Sequence, residues 1–394
     1  METPQSLLFS ILLFLSITSK LSLATEVYNV VQLGAKLDGR TDSTKPFLDA
    51  WNAACRSTGS PMIYVPPGTY LLNRVLFSGS NCKNTATTLK IDATLLAPSD
   101  YRILGNKKNW IMFKQVNGVS IIGGTLDAQG DTLWACKSNR HNCPEGARTL
   151  EFENSKHVVI QGLTSINSQK FNVVISGCQN VNIQGVKITS PGNSPNTDGI
   201  HVTSSIGVTI TGAVIRTGDD CISISPRTSN LWIENIICGP GHGISIGSLG
   251  MNLIEAGVQN VTAQSITFTG TENGFRIKTW AKPSNGFVKG VRFQQATMIN
   301  VHNPIIIDQN YCSHSKGCPH QASGVQITDV SYKNIKGTSA TKVAVKFDCS
   351  RAKPCSGIVM ENVNLSYQNQ AAQSSCISAG GSAHGVIQPS SCLV

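Results

Sequence analysis

From residue 89 onward the chain repeats one short phrase, in which apolar and polar positions alternate and then stop at a glycine or small polar residue. The phrase reads "LKIDATLL", "VSIIGGTL", "VVIQGLTS", "VNIQGVKI", "VTITGAVI", "LWIENIIC", "VRFQQATM", "VQITDVSY" and "IVMENVNL". Alternation of this kind puts every second side chain on one face of a strand. The third residues, taken as anchors, are Ile91, Ile121, Ile160, Ile183, Ile210, Ile233, Phe293, Ile327 and Met360. They are 23 to 39 residues apart, except for one gap of 60 that holds a further unit, "VTAQSITF". Self-similarity at such a period, without intervening helices, predicts a solenoid and not a propeller or sandwich. The expected architecture is all-β: a single-stranded right-handed parallel β-helix. One helix is expected, in "DSTKPFLDAWNAACR", with Asp42 as its cap and Phe47, Leu48, Trp51 and Cys55 on one face. It would cover the N-terminal end of the coil.

The beginning of the chain breaks this pattern. An apolar run from about Leu7 to Thr18 is followed by small residues at Ser22 and Ala24, which reads as a cleaved secretory leader over 1–24. The run is short for a membrane anchor. No linker interrupts the rest, so 25–394 is expected to be one domain.

Charged residues make up 14% of the chain and no long acidic or basic run occurs, which argues against disorder. Loss of 1–24 removes Glu2 and Lys20, so the net charge stays at +10. That balance suits a polyanionic partner, although solubility alone would also account for it. Thirteen cysteines in a secreted chain imply disulfides. Pairing of neighbours would join Cys55 with Cys82, Cys136 with Cys143, Cys221 with Cys238, Cys312 with Cys318, Cys349 with Cys355 and Cys376 with Cys392, leaving Cys178 single. No CxxC pair points to zinc. Sequons at Asn260 and Asn364 are N-glycosylation candidates.

Candidate chemistry comes from applying the repeat to the acidic residues. In a β-helix, equivalent residues on successive coils stack about 4.8 Å apart. Asp198 and Asp220 are 22 residues apart, as are Asp220 and His242, and Asp219 and His242 each lie nine past an anchor. Asp198 of "NTDGIH", the Asp219–Asp220 pair of "TGDDCIS" and His242 of "GPGHGISIGSLG" are therefore expected on three consecutive coils, within about 10 Å of one another. A single aspartate beside a glycine is explained as well by an Asx turn. Three acids and a histidine in register are not. Gly218 is expected to kink the backbone so that Asp219 and Asp220 both face outward. In "GFRIKTW", Arg276 and Lys278 share a strand face, where fixed cations suit a ligand carboxylate. Tyr311 of "DQNYC" offers a sugar-stacking or hydrogen-bonding group.

"NTDG", "GDD", "GHG" and "RIK", in this order and spacing, resemble the polygalacturonases of glycoside hydrolase family 28, over about Val27 to Cys392 and most like plant cell-wall members. The resemblance implies a right-handed parallel β-helix that hydrolyses α-1,4 bonds of homogalacturonan with inversion and without a metal or other cofactor. It implies Asp219 as general acid, Asp198 and Asp220 as activators of water, His242 as a tuning or orienting group and Asn196 as support. Arg276 and Lys278 would grip substrate carboxylates and Tyr311 would border the sugar. Crowding of carboxylates would raise the pKa of one, keeping it protonated. The implied partner is an acidic polysaccharide, with no nucleic acid or membrane involved, and the protein is expected to be a secreted monomer of the cell wall. Endo action is expected. Exo action, a rhamnogalacturonan hydrolase, a calcium-dependent lyase and a non-catalytic wall-binding β-helix remain alternatives.

Overall fold

The computed structural model describes residues 26–139, 142–313, 317–319 and 321–394. The expected leader, 1–24, lies outside them. Among the described residues no helix is long and apolar enough to cross a membrane.

The chain winds as a right-handed parallel β-helix. Among the described residues two sheets of 19 and 11 strands form its walls, and their strand pairs are parallel apart from one short antiparallel ladder at Ser366–Ala371. Each typical coil gives two segments to the larger sheet, such as Lys156–Gln161 and Thr164–Ile166, and one to the smaller, such as Val173–Ser176. Inward side chains stack by register into continuous apolar columns. In the larger sheet the column runs Leu89, Ile121, Ile160, Ile183, Ile210, Ile233, Ala263, Phe293, Tyr332, Met360. In the smaller it runs Phe113, Phe152, Ile175, Val202, Ile224, Ile246, Ile277, Ile307, Phe347. Removal of these faces from water drives the fold.

Two sequence anchors are displaced from the column. Leu89, not Ile91, pairs with Ile121, and Tyr332, not Ile327, pairs with Phe293. Leu89 and Ile91 are two residues apart, so that slip preserves the inward pattern and leaves no trace in the sequence. Ile327 and Tyr332 lie on either side of the left-handed corner at Asp329, which breaks the alternation and leaves both inward.

One corner of nine successive coils takes a left-handed backbone. Gly118, His157, Asn180, Gly207, Asn230, Asn260, Gly290, Asp329 and Gly357 occupy equivalent positions, with φ between 51° and 70°. Glycine, asparagine and aspartate tolerate this region best, which explains the recurring polar punctuation. Asn260 is exposed on this corner and donates to Asn230 Oδ1 at 2.7 Å; Asn364 is exposed as well.

The expected helix spans Thr44–Arg56 (α1), with Ser43 at the cap position instead of Asp42. Asp42 still accepts a hydrogen bond from the Thr44 N–H at 3.0 Å. Phe47 and Trp51 pack on Tyr70, Phe77 and Phe113 of the first coils, with ring centroids 5.2–5.8 Å apart, while Leu48 is only half-buried. Two short helices were not expected, Tyr101–Gly105 (α2) and Asp131–Ser138 (α3). Neither is long enough to show helical periodicity.

The cysteines pair as neighbours in the chain. Cys55 is bonded to Cys82, Cys136 to Cys143 and Cys221 to Cys238. Cys312 is bonded to Cys318, Cys349 to Cys355 and Cys376 to Cys392. The first of these bridges ties α1 to the strand region that follows it, and the last closes the C-terminal end of the coil. Cys178 is free and buried, and burial pushes its thiol up to about 11.

Candidate active site

The site lies on the outer face of the smaller sheet, where the strands Ile200–Thr203, Ile222–Ile224, Ile244–Leu249 and Asn273–Trp280 run side by side. Register sets Ile200, Ile222, Ile244 and Phe275 on one row, so Asp198, Asp220, His242 and Asn273, each two residues earlier, share the turn leading into it. In the larger sheet Ile215 pairs with Cys238, and in the smaller Ile222 pairs with Ile244. The connection 216–221 therefore holds one residue more than 239–243. This longer connection carries both Asp219 and Asp220, whose carboxylates lie close to the His242 ring. Gly218 has a different role from the expected kink: its φ is not left-handed, but a Cβ there would lie 2.1 Å from the Ser194 carbonyl oxygen. Only glycine permits so close a crossing.

Asp220 is the most enclosed of the three acids. Arg276 donates to its Oδ1 at 2.7 Å, the Ser245 hydroxyl to the same oxygen at 2.7 Å, and Lys278 to Oδ2 at 2.8 Å. Burial acts against its charge, but the Lys278 and Arg276 charges outweigh that and hold the carboxyl far below the usual range. Arg276 and Lys278 are each only 7% exposed, so they are not the solvated edge their sequence equally allowed. Burial works against their charges too, and Asp220 more than compensates, leaving both raised.

Asp198 accepts a short bond of 2.6 Å from Ser223, and His201 Nδ1 lies 2.8 Å from the same hydroxyl and 3.8 Å from Asp198 Oδ2. Its pKa is raised, by burial first and then by the neighbouring Asp219 and Asp220 charges, with His201 opposing. The raised carboxyl is therefore Asp198, and enclosure more than crowding is the cause.

Asp219 is more open, its side chain 19% exposed. Its Oδ1 accepts from the Asp220 N–H at 2.8 Å and lies 3.2 Å from His242 Nδ1. The other ring nitrogen of His242 is 3.3 Å from Glu272 Oε2. Burial lowers the His242 pKa, but the hydrogen bond to Asp219 and the charges of Asp219, Glu272 and Asp220 win, so the imidazole is raised.

The remaining two candidates stand further out. Tyr311 is half-buried, its ring centroid 5.2 Å from Lys278 Nζ and 5.5 Å from the Trp280 ring. Asn196 is exposed with φ of 56°, at the turn before Asp198, and makes no side-chain hydrogen bond among the described residues. A groove passes His242 and continues past Gly192, Pro240, Glu272, His302 and Thr341.

Asp219, Asp220 and His242 bring potential ligand atoms within 4.8 Å of one another. Both oxygens of Asp220, however, already meet fixed positive charges. A divalent ion would have to compete with two cationic groups at contact distance, so this donor set fits an ion-pair network better than a metal centre.

Sequence reasoning missed Ser223, Ser245, His201 and Glu272. The first two carry a signal in hindsight: each lies 25 residues after the aspartate it binds. Glu272 was hidden because the coil from Ile244 to Phe275 takes 31 residues instead of 22.

The chain is 59% identical, over 98% of its length and 98% of the relative, to a polygalacturonase of Prunus persica. It is 43% identical to an exopolygalacturonase of Platanus acerifolia, over 87% of this chain and 90% of that one. Among solved structures, endo-xylogalacturonan hydrolase from Aspergillus tubingensis superposes with a TM-score of 0.79 at 22% identity, covering 91% of this chain and 100% of that one, which supports the shared fold. Residues 55–384 match Glycosyl hydrolases family 28, and with these likenesses the chain belongs to that family.

Proposed function

We propose that this chain is a polygalacturonase, hydrolysing α-1,4 bonds between galacturonic acid units of homogalacturonan with inversion. The observation that carries the reading is the pair of nearly buried cations, Arg276 and Lys278, clamped on Asp220, whose chain neighbour Asp219 is the most open of the acids and meets His242 of the groove. A substrate with a carboxylate on every sugar needs such cations at the cleavage point. Arg276 has donors left after meeting Asp220 and Ser245, because a guanidinium carries five. The likeness to a polygalacturonase at 59% identity supports the same substrate.

In the reaction, Asp219 protonates the glycosidic oxygen as the bond to the anomeric carbon breaks. A water molecule held by Asp198 and Asp220 forms the new bond from the opposite face and gives up its proton to a carboxylate there. His242, held between Asp219 and Glu272, orients the acid and offsets its charge after proton transfer. Asn196 supports this end of the cleft, and Tyr311 borders the sugar above Lys278.

Attack within the polymer is part of the proposal. It is supported by the groove's continuation past His302 and Thr341 on later coils, which leaves room for sugars beyond the catalytic rungs. So is export to the cell wall as a monomer after removal of 1–24, with glycans at Asn260 and Asn364; the disulfides suit that compartment.

The test is release of reducing ends from demethylated and from methyl-esterified pectin. Rapid release from the first, slower release from the second and mixed early oligomers are expected. Monomer alone would overturn the endo reading, binding without release would overturn catalysis, and chelator-sensitive release with new ultraviolet absorbance would indicate a lyase.

A further inference from the structure

One coil before Asp198, at the register position equivalent to it, stands Phe171. Its ring stacks on His201 with centroids 4.7 Å apart and planes 20° apart, joining it to the wall that holds Ser223 and Asp198. Lys170 Nζ lies 5.2 Å from the same ring. Lys137 of α3 reaches the same acidic residue, its ammonium donating to the main-chain carbonyl of Glu145 at 2.8 Å. Lys170 binds the Glu145 carboxylate itself.

The charges here do not balance. Two half-buried ammonium groups stand around one residue, but only Lys170 meets its carboxylate, Lys137 being held by its main-chain carbonyl; that carboxylate belongs to a side chain 77% exposed, while the Lys170 side chain is 15% exposed. Burial lowers the proton affinity of both lysines, and for Lys170 the Lys137 charge lowers it further. Arg148 is not available to help, being paired with the buried Glu151 at 2.7 Å. The arrangement is a half-buried cationic cluster beside an aromatic ring, met by the carboxylate of an exposed side chain of the same chain. A uronate carboxylate could replace that of Glu145 without exposing or burying any new charge, and the sugar's C–H face would rest near Phe171.

We propose that Lys137 and Lys170 form a carboxylate-binding subsite for a galacturonate unit of the polymer on the N-terminal side of the catalytic rungs, and that Glu145 occupies it when substrate is absent. The assignment rests on the polygalacturonase reading. It makes Glu145 an internal competitor, so its removal strengthens substrate binding, whereas loss of a structural ion pair would not.

The experiment measures binding of oligogalacturonates of two to six units by calorimetry, using Asp219→Asn protein to prevent turnover, with Lys170→Gln, Lys170→Arg or Glu145→Gln added. Lys170→Gln is expected to weaken binding about tenfold for the longer oligomers, the worth of one charge-assisted hydrogen bond, with the deficit growing with length. Lys170→Arg is expected to restore most of it. Glu145→Gln is expected to bind the longer oligomers more tightly than the parent. Undiminished binding by Lys170→Gln, a deficit equal at every length, or weaker binding by Glu145→Gln would overturn the subsite. If Lys170→Gln does not fold, the Glu145→Gln result decides alone. Failure of the underlying reading would look different: the unmodified protein would release no reducing ends from polygalacturonate and bind no oligomer.

Discussion

Ser245 stands to Asp220 as Ser223 stands to Asp198: each serine hydroxyl donates to a carboxylate 25 residues earlier, at 2.7 Å and 2.6 Å. The two carboxylates differ in the side chain that completes each arrangement. At Ser245 it is Arg276, 2.9 Å from the hydroxyl and permanently charged, while at Ser223 it is the His201 imidazole, 2.8 Å away. One acid is thereby fixed as an anion, and the other is left with a raised pKa.

Lys278→Met should expose how much Asp220 depends on its partners. Removal of one cation from a buried pair leaves an uncompensated charge, at a cost on the order of 3–5 kcal/mol. A clear fall in the urea midpoint is expected, together with loss of turnover. A midpoint equal to that of the unmodified protein would mean that Arg276 alone neutralises the site.

Asp219→Asn should leave the fold intact, because this side chain is the most open of the three acids. Turnover should fall by about 10²–10⁴, the usual contribution of a positioned general acid. Near-normal turnover in a correctly folded variant would remove Asp219 from that role.

Stability should peak on the acidic side. Asp220 is depressed, so its contribution is present above the ordinary aspartate value of about 3.9 and is lost only as pH falls through its own lower value. Asp198 is raised, so its contribution is present below that ordinary value and is lost as pH rises through the raised one. His242 is also raised, with its contribution complete below about 6.5 and lost above. The last two act in the same direction. The melting temperature should therefore decline from mildly acidic pH toward alkaline, and His242→Gln should flatten the upper part of that decline. A steeper decline in His242→Gln would contradict the assigned sign.

Tyr332→Phe should be neutral or stabilising. The Tyr332 hydroxyl is buried in the central apolar column and has no hydrogen-bond partner among the described residues. An unsatisfied buried polar group costs about 1–3 kcal/mol, so its removal should raise the melting temperature slightly. A loss of more than about 1 kcal/mol would reveal a partner for that hydroxyl.

Much of this architecture was legible from the chain because a solenoid repeats its instructions. Ile160, Ile183, Ile210 and Ile233 mark one column, and the 22-residue steps from Asp198 to Asp220 to His242 survive because those coils carry no insertions. The disulfides were legible for a related reason: in a coil that contacts only its neighbours, cysteines close in sequence, such as Cys312 and Cys318 or Cys349 and Cys355, are also close in space. Legibility ended where coil length changed. The longer coil before Phe275 concealed Glu272, and the stretch between Tyr311 and Gln326 displaced the anchor from Ile327 to Tyr332. Ser223 and Ser245 were passed over for another reason: a serine on a strand has no distinctive signature, and only the neighbouring carboxylate gives it meaning. Nor could the chain alone say that Arg276 and Lys278 meet Asp220, because that depends on side chains crossing between coils.

The connection 216–221, one residue longer than its successor, shows how little separates a scaffold from a catalyst here. Packing asks only that the strands on either side remain aligned, and they would do so with five residues as well as with six. Were Asp219 the residue lost, Asp220 would keep its cations and the flanking strands their register, while the open acid would leave the cleft. In such a molecule, an inactive descendant could be as well folded as its parent.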